Sequence, residues 1–173
     1  CAIVNAASGP GERVDANYVV GIRRLNSAGI VTLGYVSTSY AKIDAPTVRR
    51  DIDRWRTMYP LVNGIFLDET TSQPGEGNVD HYAGLTRHAH ERGFWPVFAN
   101  PGTLIHEDYF TRDAADVFVI HELAQMPGKD VLSRLEETPC TRLGILIYGQ
   151  PSLDGAAARR LSGIANWLYI TEG

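Results

Sequence analysis

The chain has 173 residues, of which 44% are hydrophobic and 21% charged, and its formal net charge at pH 7 is −4. This length and composition are typical of one globular domain that buries its own core. The sequence has no Lys/Arg-rich run and no apolar stretch of about 18 to 20 residues, so we expect no nucleic-acid partner and no membrane span.

Seven short apolar runs recur along the chain, and each is predicted to form a β-strand. Their near-continuous Val, Ile, Leu, Phe and Tyr content is typical of strands buried on both faces of a parallel sheet. Successive runs start about 22 to 32 residues apart, which is the size of one βα unit. The runs are Ala2–Asn5, Val31–Val36, Gly64–Asp68, Trp95–Asn100, Asp116–His121, Leu143–Tyr148 and Trp167–Thr171.

Between these runs, apolar residues recur at helical spacing. Asp44, two residues before Pro46, is predicted to cap a helix, and Gly29 and Gly93 are predicted to end helices. The four helical faces consist of Val19, Ile22 and Leu25; Val48, Ile52, Trp55 and Tyr59; Tyr82, Leu85 and Ala89; and Leu153, Ala157, Leu161 and Ile164.

This alternation predicts an α/β fold of the (β/α)8 TIM-barrel type with seven βα units visible. An open doubly wound sheet also accommodates seven strands, but it commonly has a Gly-rich phosphate loop after its first strand. Here residues 5–11 lack the GxGxxG order. We therefore predict one barrel domain over residues 1–173 that lacks its first strand. Cys1 and Cys140 lie far apart in sequence, and whether they pair is left open.

Polar residues collect after the predicted strands, where the loops of a βα barrel build its functional site. Amides and acids bind sugar hydroxyls, and aromatic rings cover the apolar faces of sugars, so this rim suits a carbohydrate. The tyrosines are equally compatible with core packing. The candidates for substrate contact are Asn5, Tyr35, Thr38, Tyr40, Asn100, His121, Tyr148 and Thr171.

Acidic residues follow two of the buried runs directly. Asp68 and Glu69 end the third run, and a charge at that position is costly unless it has a purpose. Glu69 is the more ambiguous of the two because neighbouring strand residues face opposite ways. Glu122 follows the fifth run. Two carboxylates on one rim are the minimum for glycoside hydrolysis, so Asp68, Glu69 and Glu122 are the candidate catalytic residues.

The sequence also resembles a known family. Asn5 with Ser8-Gly9-Pro10-Gly11 is similar to the N-P-x-S-G-P-G signature of the spherulin-4-like proteins, which are related to glycoside hydrolase family 135. Ala6 replaces the proline of that signature, and Glu172 stands where an aspartate is usual. Further matches follow in order over nearly the whole chain at Asn17-Tyr18, Gly34-Tyr35-Val36, Thr38, Tyr40, residues 64–69, residues 100–103, Glu122 and residues 169–171.

The resemblance implies a secreted or cell-surface (β/α)8 hydrolase whose relatives cut α-1,4-linked galactosamine or N-acetylgalactosamine polymers such as galactosaminogalactan in an endo-acting manner. It implies catalytic roles for Asp68, Glu69 and Glu122, and a further barrel strand before the Asn5 signature. We expect a polysaccharide as the partner, a monomer, and no metal or cofactor.

Three mechanistic hypotheses follow. In the first, Asp68 is the nucleophile and Glu122 the acid/base of a retaining double displacement, with Glu69 tuning Asp68 or holding the substrate. In the second, the 2-acetamido group of the substrate attacks, and an acid of the Asp68-Glu69 pair orients it. In the third, the barrel binds carbohydrate without cleaving it.

Overall fold

The computed structural model describes residues 1–135 and 138–172 and contains a seven-stranded parallel sheet. Each strand pairs with the strands before and after it in the chain. All seven predicted strands are confirmed, with ends that differ from the predictions by up to two residues. They are β1 (Ala2–Val4), β2 (Thr32–Ser37), β3 (Gly64–Asp68), β4 (Val97–Ala99), β5 (Val117–Leu123), β6 (Leu143–Ile147) and β7 (Trp167–Ile170).

Helices connect the strands and cover the outer face of the sheet. A short 3-10 helix at Cys140–Arg142 also precedes β6. The sheet curls into a partial barrel, which confirms the predicted fold type. The α-helices are α1 (Ala16–Ser27), α2 (Ala45–Met58), α3 (Asn78–Glu91), α4 (Asp108–Thr111), α5 (Lys129–Ser133) and α6 (Gly155–Ser162).

Two apolar clusters hold the fold together, one on each face of the sheet. The inner cluster lies on the inner face of the sheet and consists of Leu33, Phe66, Phe98, Val117 and Val119. The larger outer cluster lies between strands and helices. Trp55 of α2 is fully buried there, and it packs so closely on Gly34 that a Cβ at that position would lie 2.7 Å from the indole ring. Alternate strand residues therefore face alternate clusters, as the pleat of a strand requires.

Most predicted helix ends are confirmed. The Asp44 side chain accepts from the Thr47 amide at the start of α2. Gly29 and Gly93 take positive φ values of 75° and 79° after α1 and α3. The inclusion of Leu153 in the last helical face was wrong: Asp154 caps α6, so Leu153 lies before the helix and is 67% exposed.

The strands β1 and β7 form the two edges of the sheet in the part of the chain that the structure describes. A largely apolar cavity of 690 Å³ lies between them and continues into the barrel interior, where Phe66, Phe98 and Trp167 line it. Its position is the one an eighth strand would border in a closed barrel. The described residues include no helix that is long and apolar enough to cross a membrane. Cys1 and Cys140 are free thiols.

Candidate active site

The candidate acids lie at the C-terminal ends of neighbouring strands. Asp68 is the last residue of β3, two positions beyond Phe66, so it faces the barrel interior above the inner cluster. Asn100 follows β4, two positions beyond Phe98, and its amide donates to the Leu67 carbonyl. These two side chains therefore enter the same space from adjacent strands.

Asn100 connects two of the three acids. Its Nδ2 donates to Asp68 Oδ1 at 2.9 Å and to Glu122 Oε2 at 2.8 Å. Its Oδ1 accepts from the Gly102 amide at 3.1 Å, and this bond fixes which way the carboxamide faces. The two carboxylate oxygens can be no farther apart than these two donor distances combined. That limit is below the ~6.5 Å at which the spacing of inverting acid pairs begins.

Glu122 reaches this site because of a β-bulge in β5. Simple alternation from Val117 and Val119, which face the interior, would direct Glu122 towards the helices. The pairing with β6 shifts between Val119 and His121, and Glu122 is brought opposite Leu146. Because Leu146 packs against the inner cluster, the bulge returns Glu122 to the barrel interior.

Glu69 reaches the same side of the sheet by a different route. It has a positive φ of 53°, which is unusual for a residue with a side chain. This left-handed backbone turns its carboxylate back over β2, where Ser37 Oγ donates to Glu69 Oε2 at 2.7 Å. The neighbouring acids Asp68 and Glu69 therefore do not face opposite ways as they would in a continuing strand.

The loop after β2 holds this strained backbone in place. The Thr38 hydroxyl lies 2.9 Å from the carbonyl oxygens of both Asp68 and Glu69. It also lies 3.2 Å from the Tyr82 hydroxyl, which accepts from the Thr71 amide. Thr38 is fully buried, so its side chain supports the acid loop and does not reach solvent, contrary to the expectation that it contacts substrate.

Tyr35 completes the cluster from β2. Burial, followed by a hydrogen bond to Asp68 and the charges of Asp68 and Glu69, raises the pKa of Tyr35 to about 12, while a hydrogen bond with Ser37 opposes the rise. Tyr35 therefore keeps its proton at neutral pH and donates it to Asp68. Ser37, Tyr82 and Gly102 belong to the site although the sequence analysis did not select them. The inward alternation of β2 could have indicated Ser37.

The remaining predicted rim residues lie around this cluster. Tyr40 and Tyr148 follow β2 and β6 and are 55% and 45% exposed, as rings that receive a sugar would be. Asn5 follows β1, where its side chain accepts from the Gly9 amide, and Thr171 follows β7. Their contact with substrate stays a prediction. His121 is buried, with Nε2 2.7 Å from the Gln125 carbonyl oxygen, which favours a structural role.

The electrostatics of the site come from the acids themselves. The ion pairs found in residues 1–135 and 138–172 do not include Asp68, Glu69 or Glu122. No group of three or more His, Cys, Asp and Glu in the same residues has the arrangement of a metal site. Neutral donors, namely Asn100, Tyr35 and Ser37, are the groups that hydrogen-bond the three carboxylates.

The fold and the site together define a class of protein. It is a parallel βα barrel with carboxylates at the C-terminal ends of β3 and β5. The family model described as spherulation-specific family 4 matches residues 1–173. The chain therefore belongs to this family.

Individual proteins are similar to the chain in sequence or in fold. Spherulin-4 of Physarum polycephalum is 34% identical over 110 residues, which cover 62% of this chain and 32% of that protein. The chain thus spans about a third of the length of this relative. Sph3 of Aspergillus clavatus, whose crystal structure is a complex with GalNAc, matches with a TM-score of 0.84 and 29% identity over 99% of this chain and 76% of Sph3. A chitinase from Chromobacterium violaceum shares the fold, with a TM-score of 0.57 and 17% identity over 94% of this chain and 68% of the chitinase.

Proposed function

We propose that this protein is a glycoside hydrolase that cleaves α-1,4-linked polymers of galactosamine and N-acetylgalactosamine within the chain. The observation that carries the proposal is the hydrogen bonding of one Asn100 nitrogen to both Asp68 and Glu122. Retaining glycosidases place their two carboxyl groups about 5 to 5.5 Å apart, and the shared donor holds the bonded oxygens of Asp68 and Glu122 closer together than the spacing of inverting pairs. The similarity to Sph3, which was crystallised with GalNAc, supports an amino sugar as substrate.

In the proposed mechanism, an Asp68 oxygen attacks the anomeric carbon while the bond to the leaving sugar oxygen breaks. The proton on Glu122 moves to that leaving oxygen. Water then loses a proton to Glu122 and attacks the anomeric carbon, and the bond to Asp68 breaks. Two inversions give net retention, and Glu122 ends in its starting state.

Attack by the acetamido group of the substrate suits this linkage less well. In an α-linked N-acetylgalactosamine unit, the C2 nitrogen and the leaving oxygen lie on the same face of the ring, so the acetamido group cannot approach from the opposite face. Asp68, in contrast, belongs to the protein and can approach that opposite face. A protein nucleophile also removes the need for an acetyl group, so units with a free amine would be cleaved as well.

The decisive experiment incubates the protein with partly deacetylated α-1,4-linked galactosaminogalactan and counts new reducing ends. We expect cleavage, with Asp68→Asn and Glu122→Gln each lowering the rate about 10²- to 10⁴-fold because each variant removes one of the two essential carboxyl groups. Glu91→Gln, an exposed change at the end of α3, serves as the matched control and should cleave normally.

The stereochemistry of the first product, followed by NMR, separates the mechanisms. A product with the α configuration supports double displacement, and a β product indicates inversion. Oligosaccharide binding without any new reducing ends would reject the hydrolase and favour a carbohydrate-binding protein that keeps the barrel.

A further inference from the structure

Glu69 depends on its surroundings more than the other two acids do. Asp68 faces the interior by the alternation of β3, and Glu122 faces it through the bulge of β5. Glu69 lies beyond the end of β3, and only its left-handed backbone turns it towards the interior. The backbone alone does not set the side-chain torsions, so a further contact must determine where the carboxylate rests.

Ser37 provides that contact. It is the last residue of β2, it lies opposite Asp68 in the strand register, and it has the same inward parity as Leu33 and Tyr35. Its hydroxyl donates to Glu69 Oε2 at 2.7 Å. A half-buried hydrogen bond from a hydroxyl to a carboxylate is among the stronger side-chain interactions in a protein.

A separate set of hydrogen bonds joins the other two acids. Tyr35 donates its single hydroxyl proton to Asp68. Asn100 donates to both Asp68 and Glu122. Ser37 lies beside Tyr35, but its own single hydroxyl proton is donated to Glu69. Ser37 therefore acts on Glu69, and the bonds among Asp68, Asn100 and Glu122 do not depend on it.

We propose that Ser37 is a positioning residue that holds the Glu69 carboxylate on the substrate side of the barrel, next to Asp68. This proposal rests on the proposed function, because it assigns Glu69 a role in substrate turnover. Ser37 acts through Glu69 and does not itself touch the reacting atoms. Its loss leaves Asp68 and Glu122 bridged but lets Glu69 rotate into solvent.

A double-mutant cycle tests this assignment. We expect Ser37→Ala and Glu69→Gln each to lower kcat/KM for the galactosaminogalactan polymer about tenfold or more. The double variant should be no slower than Glu69→Gln, because Ser37 contributes to turnover through the Glu69 carboxylate. Ser37→Thr keeps the hydroxyl on a strand residue and should restore activity. Ser162→Ala, on α6, is the matched control and should match the wild type.

Two results would overturn the proposal: full activity of Ser37→Ala, or a double variant whose loss is the product of the two single losses. If Ser37→Ala does not fold, as judged by its thermal midpoint, the same cycle is run with Ser37→Cys. Should the wild type release no reducing ends, the hydrolase function fails by itself. In that case the double-mutant cycle is repeated with the affinity for an α-1,4-linked N-acetylgalactosamine oligosaccharide as the measured quantity. The double variant should again lose no more than Glu69→Gln alone.

Discussion

Asn100 is the residue on which the geometry of the acid pair depends. Both of its N–H groups are used on carboxylates and its oxygen on a backbone amide, so it has little left to offer a substrate. It was predicted from the sequence as a substrate contact, and the structure gives it a positioning role in addition. The prediction arose from strand position alone, which indicates where a side chain lies but not which groups it bonds.

Asn100→Ala should therefore affect turnover more than binding. Hydrogen bonds to charged groups are worth about 1.5 to 3 kcal/mol each, and Asn100 makes two of them, so we expect kcat to fall by at least about 100-fold with a small change in KM. Steady-state kinetics on the galactosaminogalactan polymer measure this split. Asn17→Ala, an exposed change on α1, is the control. A rise in KM at unchanged kcat would show that Asn100 binds the substrate instead.

Tyr35 gives the site a titration that can be followed spectroscopically. Its pKa is raised to about 12, chiefly by burial and by Asp68, so its tyrosinate absorbance should appear near pH 12. The difference between titrations of the wild type and Tyr35→Phe isolates this one group among the eight tyrosines. A difference centred near pH 10 would mean that Tyr35 is neither buried nor bonded to Asp68.

The raised pKa of Tyr35 also predicts how the stability of the protein depends on pH. A folded-state pKa above the unfolded value means that the folded state holds the proton more tightly. The stabilising contribution is therefore complete below about pH 10 and is lost as the pH rises towards 12. The free energy of unfolding of the wild type, measured with denaturant, should fall over this pH window. In Tyr35→Phe it should fall less steeply with pH. An identical slope in both proteins would contradict the prediction.

At the scale of elements, the loop between β4 and β5 sets the position of Glu122. Gly102 has a φ of 65°, its carbonyl accepts from the Glu122 amide, and a Cβ there would lie 3.5 Å from Glu122 Cβ. Gly29 has a similar φ of 75° with open space around it. Both glycines therefore require a left-handed backbone, but Gly102 lies next to Glu122 whereas Gly29 has open space around it.

Alanine at each glycine separates stability from activity. We expect Gly102→Ala and Gly29→Ala each to lower the free energy of unfolding by about 1 kcal/mol, because both force a side chain into the left-handed region. Only Gly102→Ala should also lower kcat, since relaxation of its strained backbone would move the carbonyl that accepts from the Glu122 amide. Equal activity of the two variants would mean that Glu122 does not depend on this loop.

The β5 bulge and the left-handed turn at Glu69 could not be predicted from the sequence. The apolar run at 116–121 predicts a strand, but a period of two directs Glu122 to the wrong face, and nothing in the residue types announces the extra residue. Likewise, glutamate carries no signal for a left-handed backbone. Both features are imposed by pairing with neighbouring strands and loops, which are contacts distant in sequence.

At the scale of the whole molecule, the order of the sheet was accessible from the sequence because short, continuously apolar strands alternate with amphipathic helices in only a few folds. The short helices α4 and α5 were not predicted, because four or five residues are too few to display a helical period. The gap beside β1 and β7 agrees with a barrel in which seven of eight strands are visible.

Hydrogen exchange should show that the edge strands β1 and β7 are less protected than the strands between them. Strands β2 to β6 each have two neighbours, whereas β1 and β7 have one each in the part of the chain that the structure describes. Alternate amides of an edge strand face the open side, so β1 and β7 should exchange about 100-fold faster than β3. The amides of α2, which packs Trp55 into the core, provide the slow reference. Equal protection of β7 and β3 would show that another strand occupies the gap, and a sedimentation measurement would show whether a second copy of the chain supplies it.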